Sequence, residues 1–199
     1  MTKPFILGLT GSIGMGKSAV AAMFREAGVP VFDADAAVHE LQGPHGTLLG
    51  AIEQAFPGST TADGVDRQKL GAAVFGDPAA LGRLEAIVHP AVAELRAVFL
   101  AEHAAAPLIV FDIPLLYEKG GPRGLDAVLV VSASAQQQHA RVLARPGMTE
   151  DKFTKILGLQ VPDADKRNRA DYVIDTGVSR EQTRQAVQQL VQKLLPAEK

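Results

Sequence analysis

Five short apolar runs occur along the chain, and each has the length and composition of a buried β-strand. They cover residues 5–9, 29–33, 108–112, 127–131 and 170–175. Between several of them, apolar residues recur every three or four positions, which is the spacing of helices that pack one face against a core. Alternating strands and helices predict an α/β fold in which a parallel sheet lies between layers of helices.

Residues 40–106 interrupt this alternation because they contain no convincing strand. Apolar residues with helical spacing continue through the segment, and His89-Pro90 is expected to break or kink one helix, since the residue before a proline avoids helical geometry. A crossover between parallel strands needs only about a dozen residues. We therefore expect residues 40–106 to form an inserted helical subdomain that holds a second substrate.

The first apolar run leads into a glycine-rich loop, G-S-I-G-M-G-K-S, at residues 11–18. It fits the pattern G-x-x-x-x-G-K-[ST] between a predicted strand and a predicted helix, which is the context in which this pattern binds phosphate. The backbone N–H groups of such a loop curl around the anion, and glycines leave room for it. The alternative is a glycine-rich turn that contains a lysine by chance. The predicted contacts to nucleotide are Gly11, Ser12, Ile13, Gly14, Met15, Gly16, Lys17 and Ser18.

Two side chains of this loop have specific predicted roles. Lys17 is expected to reach the β- and γ-phosphates of a bound nucleotide, and the Ser18 hydroxyl is expected to ligate Mg²⁺.

Aspartates stand where two of the predicted strands end, at the edge of the sheet where α/β folds bind their ligands. Asp33 is expected to face the acceptor of the γ-phosphate, with helix capping as the alternative. Asp35 is expected instead to cap the following helix. Two roles are possible for Asp112 at this point. It could orient Mg²⁺ or the waters of the ion, or it could cap a helix.

Seven cationic residues lie between positions 141 and 169, in a chain whose net charge is −2. Such a run is commonly a solvated helical face. In a chain with a phosphate-binding loop, we expect it to be a lid whose arginines close over a triphosphate and exclude water. Arg141 and Arg145 are four residues apart and are expected on one face of a helix that ends at Pro146-Gly147. The cations are Arg141, Arg145, Lys152, Lys155, Lys166, Arg167 and Arg169.

Composition narrows the classes of protein to consider. The chain has no cysteine, which excludes disulfides, thiol catalysis and cysteine-ligated zinc. Its net charge of −2 implies no general attraction to nucleic acid or membrane. No apolar run approaches membrane-spanning length, and the first strand begins too early to leave room for a signal peptide. We expect a cytoplasmic monomer that binds neither nucleic acid nor membrane.

Other classes that share the loop need motifs that this chain lacks. A regulatory GTPase would carry D-x-x-G and N-K-x-D, and a transport-type ATPase an L-S-G-G-Q-like signature. A small-molecule kinase fits better. The predicted fold is a P-loop NTPase-type three-layer α/β domain spanning residues 1–199. It has five parallel strands, the helical insertion at 40–106 and a helical lid at 141–169.

Several motifs in this order resemble the dephospho-CoA kinase family over nearly the whole chain. Besides the loop, they are Asp33-Ala-Asp35, His89-Pro90, Pro114-Leu-Leu-Tyr-Glu118, Arg141-Val-Leu-Ala-Arg145 and Ala170-Asp-Tyr-Val-Ile-Asp175. The loop alone is shared too widely to name a family, whereas the later motifs are much more specific.

The resemblance implies that ATP phosphorylates the ribose 3′-hydroxyl of dephospho-CoA to give coenzyme A and ADP. Asp33 matches the general base of the family, while Lys17, Mg²⁺ and Arg141 carry the charge of the transferring phosphoryl group. Residues 175–178, beginning with Asp175, are implied to lie near the adenine, and Arg145 to contact ATP. The residues implied to hold dephospho-CoA are His89, Leu115, Leu116 and Glu118, together with Asp33.

One residue departs from the family pattern. Ala19 stands where the family usually has Thr or Ser, whose hydroxyl would reach the α-phosphate. The N–H of Ala19 is still available to the nucleotide, so we expect weaker ATP binding at worst, by about 1.5–3 kcal/mol at most.

Two rival functions stay open at this point. One is a different small-molecule kinase that acts on a sugar, a shikimate-like acid or a nucleoside monophosphate. The other is a nucleotide-dependent switch or binding module with no enzymatic activity.

Overall fold

A computed structural model describes residues 3–195 of the chain. Its strands are β1 (Phe5–Thr10), β2 (Val31–Asp33), β3 (Thr60–Thr61), β4 (Gly64–Val65), β5 (Leu108–Asp112), β6 (Ala127–Ser132) and β7 (Tyr172–Asp175). Its helices are α1 (Lys17–Glu26), α2 (Ala34–Gln42), α3 (Leu49–Ala55), α4 (Arg67–Val74), α5 (Pro78–Glu102), α6 (Ala135–Leu143), α7 (Glu150–Gly158), α8 (Asp163–Asn168) and α9 (Arg180–Leu194). Within the described residues, no helix combines the length and apolarity needed to span a membrane.

The five predicted strands form one parallel sheet with the order β2-β5-β1-β6-β7, which confirms the predicted fold class. β1 lies at the centre, with β5 on one side and β6 on the other. Both neighbours are buried along their whole length, as continuously apolar runs predict. The carboxyl end of β1 therefore lies between the carboxyl ends of β5 and β6.

One face of the sheet shares its core with α1 and α9, which pack against each other. Val20 and Phe24 of α1 and Val187 of α9 are completely buried there against Leu7 and Leu9 of β1. Burial of each such side chain stabilises the fold by about 1.5–3 kcal/mol. This packing fixes the start of α1 directly behind the glycine-rich loop.

Helix ends follow the capping residues in the sequence. Gly28, with a φ of 78°, follows the C-cap of α1 in the left-handed conformation, as expected of a glycine that stops a helix. Ser134 with Gln137, and Ser179 with Gln182, form complete capping boxes at the starts of α6 and α9. Such caps contribute about 1 kcal/mol each.

The structure divides into two compact units, of which Asp33–Glu102 is one and the rest of the described chain the other. The unit Asp33–Glu102 contains α2 to α5 around its own apolar core. We expected His89-Pro90 to break or kink this part of the chain; the longest helix, α5, continues through Pro90, so the helix is not broken there. Apolar residues before and after Pro90, such as Val88 and Val92, pack against the same core. This packing offsets the cost of an interior proline, which is about 3 kcal/mol.

A two-stranded hairpin, β3-β4, lies in the same unit, so the prediction that residues 40–106 lack strands is also wrong. Glu53 of α3 holds it, accepting from the hydroxyl of Thr60 at 2.6 Å and from the N–H groups of Gly58 and Thr60. The Thr60 hydroxyl, followed by the Gly58 N–H, lowers the pKa of the Glu53 carboxyl below its ordinary value. Strands of two residues are too short to show alternation in the sequence, which is why the pattern missed them.

Candidate active site

The loop between β1 and α1 takes the conformation that its glycines permit. Gly14 and Gly16 have φ angles of 77° and 83°, in the left-handed region that favours glycine. Gly11 is needed for another reason, because a Cβ there would lie 2.6 Å from Cγ2 and 2.9 Å from the carbonyl oxygen of Val131 in β6. Gly11 thus makes room for the neighbouring strand, and not only for an anion as the pattern suggested.

Lys17 is the first residue of α1, and its ammonium forms an ion pair with Asp112, with 2.5 Å between Nζ and Oδ1. The register of the sheet brings them together, because Leu9 of β1 pairs with Asp112 at the end of β5. The Asp112 side chain is only 3% exposed and that of Lys17 18% exposed. Asp112 is followed by turns instead of a helix, which excludes the capping alternative for this residue.

Ser18 and Ala19 lie in the first turn of α1, and both are exposed. Ser18 thus directly follows Lys17 at the end of the loop and is open to solvent. Across residues 3–195, no three or more histidine, aspartate or glutamate side chains are grouped to hold a metal ion. Mg²⁺ is commonly bound by one or two protein ligands together with substrate phosphates, and an exposed hydroxyl at this position fits that mode.

Arg141 reaches the segment that follows β7. Its guanidinium donates to the carbonyl oxygen of Thr176 at 2.6 Å and to the hydroxyl of Thr176 at 3.2 Å. The Thr176 hydroxyl in turn donates to the carbonyl oxygen of Met15 at 2.8 Å. Arg141 is thus connected to the phosphate-binding loop through one intervening residue.

Arg145 does not share a helix with Arg141. α6 ends at Leu143, three residues before Pro146, so the prediction that Pro146-Gly147 ends the helix placed its end too late. Arg145 is exposed beyond this end.

A cleft of about 490 Å³ lies beside the loop and includes Asp175 in its lining. The Asp175 carboxylate accepts the N–H of Gly177 at 2.6 Å, which orders the turn after β7. The lining residues are Met15, Ser132, Ala133, Ser134, Ala135, Gln138, Asp163, Ala164, Arg167, Val173 and Asp175.

Glu118 and Lys166 form a buried ion pair, with 2.7 Å between Oε1 and Nζ. Lys166 is completely buried, so it is not one of the exposed lid cations that the charge run suggested. Glu118 also accepts the N–H of Val161 at 2.9 Å. Burial alone would raise the pKa of Glu118, but the Lys166 ammonium and the N–H groups outweigh it, so this pKa lies below its ordinary value. The pair fixes α8 to the segment that follows β5.

Tyr117 contacts Arg169, the residue that follows α8. Its hydroxyl donates to the carbonyl oxygen of Arg169 at 3.0 Å, and the Arg169 guanidinium lies over its ring at 4.2 Å from the centroid. Burial raises the pKa of Tyr117 above its ordinary value. The two predicted acceptor-binding leucines differ, because Leu116 is buried in an apolar cluster whereas Leu115 is exposed.

At the start of α2 the capping residue is Asp33 and not Asp35. Asp33 is the N-cap, and its Oδ1 accepts the N–H of Ala36 at 3.0 Å, so the prediction that Asp35 caps this helix is wrong. The strand β2 passes directly into α2, which makes its last residue the cap. Asp35 lies exposed in the first turn, where its negative charge interacts favourably with the helix dipole.

His89, which was predicted to contact the acceptor, is exposed on α5.

Sequence reasoning missed the roles of four polar residues in this part of the structure. They carry no recognisable motif, and only their burial or hydrogen bonding reveals them. They are Gln138, Gln160, Lys166 and Thr176.

A parallel sheet with this strand order, a glycine-rich loop after its central strand and a lysine at the start of the next helix define a P-loop nucleotide-binding protein. The family model for dephospho-CoA kinase matches residues 5–182. A dephospho-CoA kinase from Novosphingobium aromaticivorans is 68% identical over 194 residues, which cover 98% of this chain and 96% of that protein. One from Mesorhizobium japonicum is 54% identical over 191 residues, covering 95% and 96%.

The crystal structure of TT1252 from Thermus thermophilus is similar as well, with a TM-score of 0.86 and 35% identity. The structural match covers 98% of this chain and 100% of the Thermus thermophilus chain. The chain belongs to the dephospho-CoA kinase family.

Proposed function

We propose that this protein transfers the γ-phosphoryl group of ATP to the ribose 3′-hydroxyl of dephospho-CoA, giving coenzyme A and ADP. The observation that carries the proposal is the loop of residues 11–18, set between β1 and α1 with Lys17 at its end, in a chain of this family. We further propose that the enzyme acts as a cytoplasmic monomer that binds neither nucleic acid nor membrane.

On the donor side, the loop N–H groups and the start of α1 hold the phosphates of ATP. The Lys17 ammonium carries charge that develops on the transferring group, and its ion pair with Asp112 keeps it at the loop. Arg141 supplies further positive charge, and Arg145 contacts ATP from the lid. The turn after Asp175 lies near the adenine.

The exposed hydroxyl of Ser18 would ligate Mg²⁺, and Asp112 would orient waters of the ion. When bound, Mg²⁺ would offset the negative charge of the nucleotide phosphates at the loop. The exposed position of Ser18 in the first turn of α1 supports this assignment.

On the acceptor side, Asp33 accepts the proton of the 3′-hydroxyl as the bond to phosphorus forms. Its cap bond to Ala36 holds the carboxylate in one orientation. His89 and Leu115, both exposed, are proposed to contact dephospho-CoA. The burial of Leu116 and the ion pair of Glu118 favour a supporting role for these two residues.

An acceptor panel tests the proposed substrate. ADP release is measured with ATP, Mg²⁺ and one acceptor at a time: dephospho-CoA, shikimate, a hexose or a nucleoside monophosphate. We expect release with dephospho-CoA to exceed the others by about a hundredfold or more, since the acceptor site must position one hydroxyl for transfer.

Two results would contradict the proposal. Faster turnover with another acceptor would identify a different small-molecule kinase. ATP binding without acceptor-dependent ADP release would indicate a nucleotide-dependent switch.

A further inference from the structure

Two glutamines bind the backbone of one residue of the phosphate-binding loop, Ile13, at the two peptide groups that flank it. The side-chain amide of Gln138 in α6 donates to the carbonyl oxygen of Ile13 at 2.8 Å. The side-chain oxygen of Gln160, just after α7, accepts the N–H of Ile13 at 3.0 Å. Both contacts link residues more than a hundred positions apart in the chain, so they depend on the folded arrangement and not on local sequence.

A loop that binds an anion through its N–H groups turns its carbonyl groups outward. An outward carbonyl that is buried needs a donor from the protein, because leaving it unpaired is costly. Gln138 is only 6% exposed and supplies that donor to Ile13. A Cβ on Gly14 would lie 2.5 Å from Cγ2 of Val142, which shows how closely α6 packs on the loop.

The same helix supports a second carbonyl of the loop. Arg141 is three residues after Gln138 and therefore lies on the same helix face. It holds Thr176, whose hydroxyl donates to the carbonyl oxygen of Met15. α6 thus fixes the outer side of the loop at two points, directly at Ile13 and indirectly at Met15.

We propose that Gln138 is a positioning residue for the donor phosphates. Through the carbonyl of Ile13 it holds the loop in the conformation whose N–H groups face the β- and γ-phosphates, while Gln160 holds the preceding peptide group through the N–H of Ile13. The inference rests on the proposed use of ATP, and it does not depend on the identity of the acceptor. It assigns a role in nucleotide binding to two residues that neither touch the reacting atoms nor belong to the glycine-rich motif.

The test compares the full-length wild type with Gln138→Met, which keeps the length of the side chain and removes the donor. Calorimetry with Mg²⁺ should show ATP and ADP binding about tenfold more weakly, the factor expected for one lost hydrogen bond to a partly buried carbonyl. Binding of AMP and of dephospho-CoA should be unchanged, because neither is proposed to place a β-phosphate in the loop. Gln136→Met, at an exposed position of the same helix, is the matched control and should bind all four as the wild type does.

Gln160→Met is the second variant and tests the contact to the N–H of Ile13. It should also weaken the binding of ATP and ADP, but by a smaller factor than Gln138→Met does. Gln160 is only half-buried, so water can replace its side-chain oxygen. In the double variant the two effects should not add, because both act on the backbone of Ile13. Unchanged ATP binding in Gln138→Met, an equal loss for AMP and dephospho-CoA, or tighter ATP binding in Gln160→Met would each overturn the inference. Because binding is measured without transfer, a wrong acceptor would leave this test intact.

Discussion

Asp33→Asn is expected to lower kcat with ATP and dephospho-CoA by about a hundredfold or more, which is the usual contribution of a positioned general base. Asparagine caps helices about as well as aspartate, so it can retain the bond to the N–H of Ala36 and the start of α2. It cannot accept the proton of the hydroxyl. The substitution therefore separates the two roles of Asp33. The measurement is steady-state kinetics together with the dissociation constant of ATP, which should stay near the wild-type value.

Asp35→Asn is the matched control for this variant. It removes the same charge two residues away. Asp35 is exposed and does not cap α2. We expect its kcat to stay close to that of the wild type. Wild-type kcat in Asp33→Asn, or an equal loss in Asp35→Asn, would remove Asp33 from its proposed role as the base.

Lys166→Met is expected to lower the free energy of unfolding by about 3–5 kcal/mol, because it leaves the buried carboxylate of Glu118 without its counter-charge. The measurement is urea denaturation at pH 7. Adding Glu118→Gln to Lys166→Met should recover most of the loss, since no buried charge is then left uncompensated. Lys155→Met, which removes an exposed lysine, should stay within about 0.5 kcal/mol of the wild type.

The difference between Lys166→Met and the wild type should shrink as the pH falls. In the wild type, the lowered pKa of Glu118 means that its contribution is present above the ordinary carboxyl pKa and is lost as the pH falls through the lowered value. In the variant, burial without the ammonium raises the pKa of Glu118, so the penalty at pH 7 is relieved on acidification. A difference that stays constant from pH 7 to about pH 4 would show that Glu118 is not the source of the instability.

Much of the sheet, and the position of the glycine-rich loop between β1 and α1, could be predicted because each signal is local. A buried parallel strand is apolar throughout, a phosphate-binding loop is a short stretch with glycines at fixed positions that ends in Lys-Ser, and a capping box spans four residues. The ion pair of Lys17 with Asp112 was only partly predictable. The sequence placed both at the edge of the sheet, but their contact depends on the pairing of β1 with β5.

The errors arose where tertiary packing outweighs local preference. Pro90 stays within α5 because apolar residues on both sides pack on one core. Lys166 looked like part of an exposed basic run, yet its ammonium is buried against Glu118, 48 positions earlier in the chain. Asp33 caps α2 because no linker separates it from β2, which no propensity reveals. Contacts at such separation cannot be read from one sequence without the fold.

The position of the new phosphate tests the central claim most directly. Wild-type enzyme is incubated with ATP, Mg²⁺ and dephospho-CoA, and the product is examined by ³¹P NMR and mass spectrometry while ADP is measured in parallel. The account predicts one new phosphomonoester on the ribose 3′-oxygen for each ADP formed. A phosphate at the 2′-oxygen or elsewhere, or ADP formed without a phosphorylated acceptor, would contradict it.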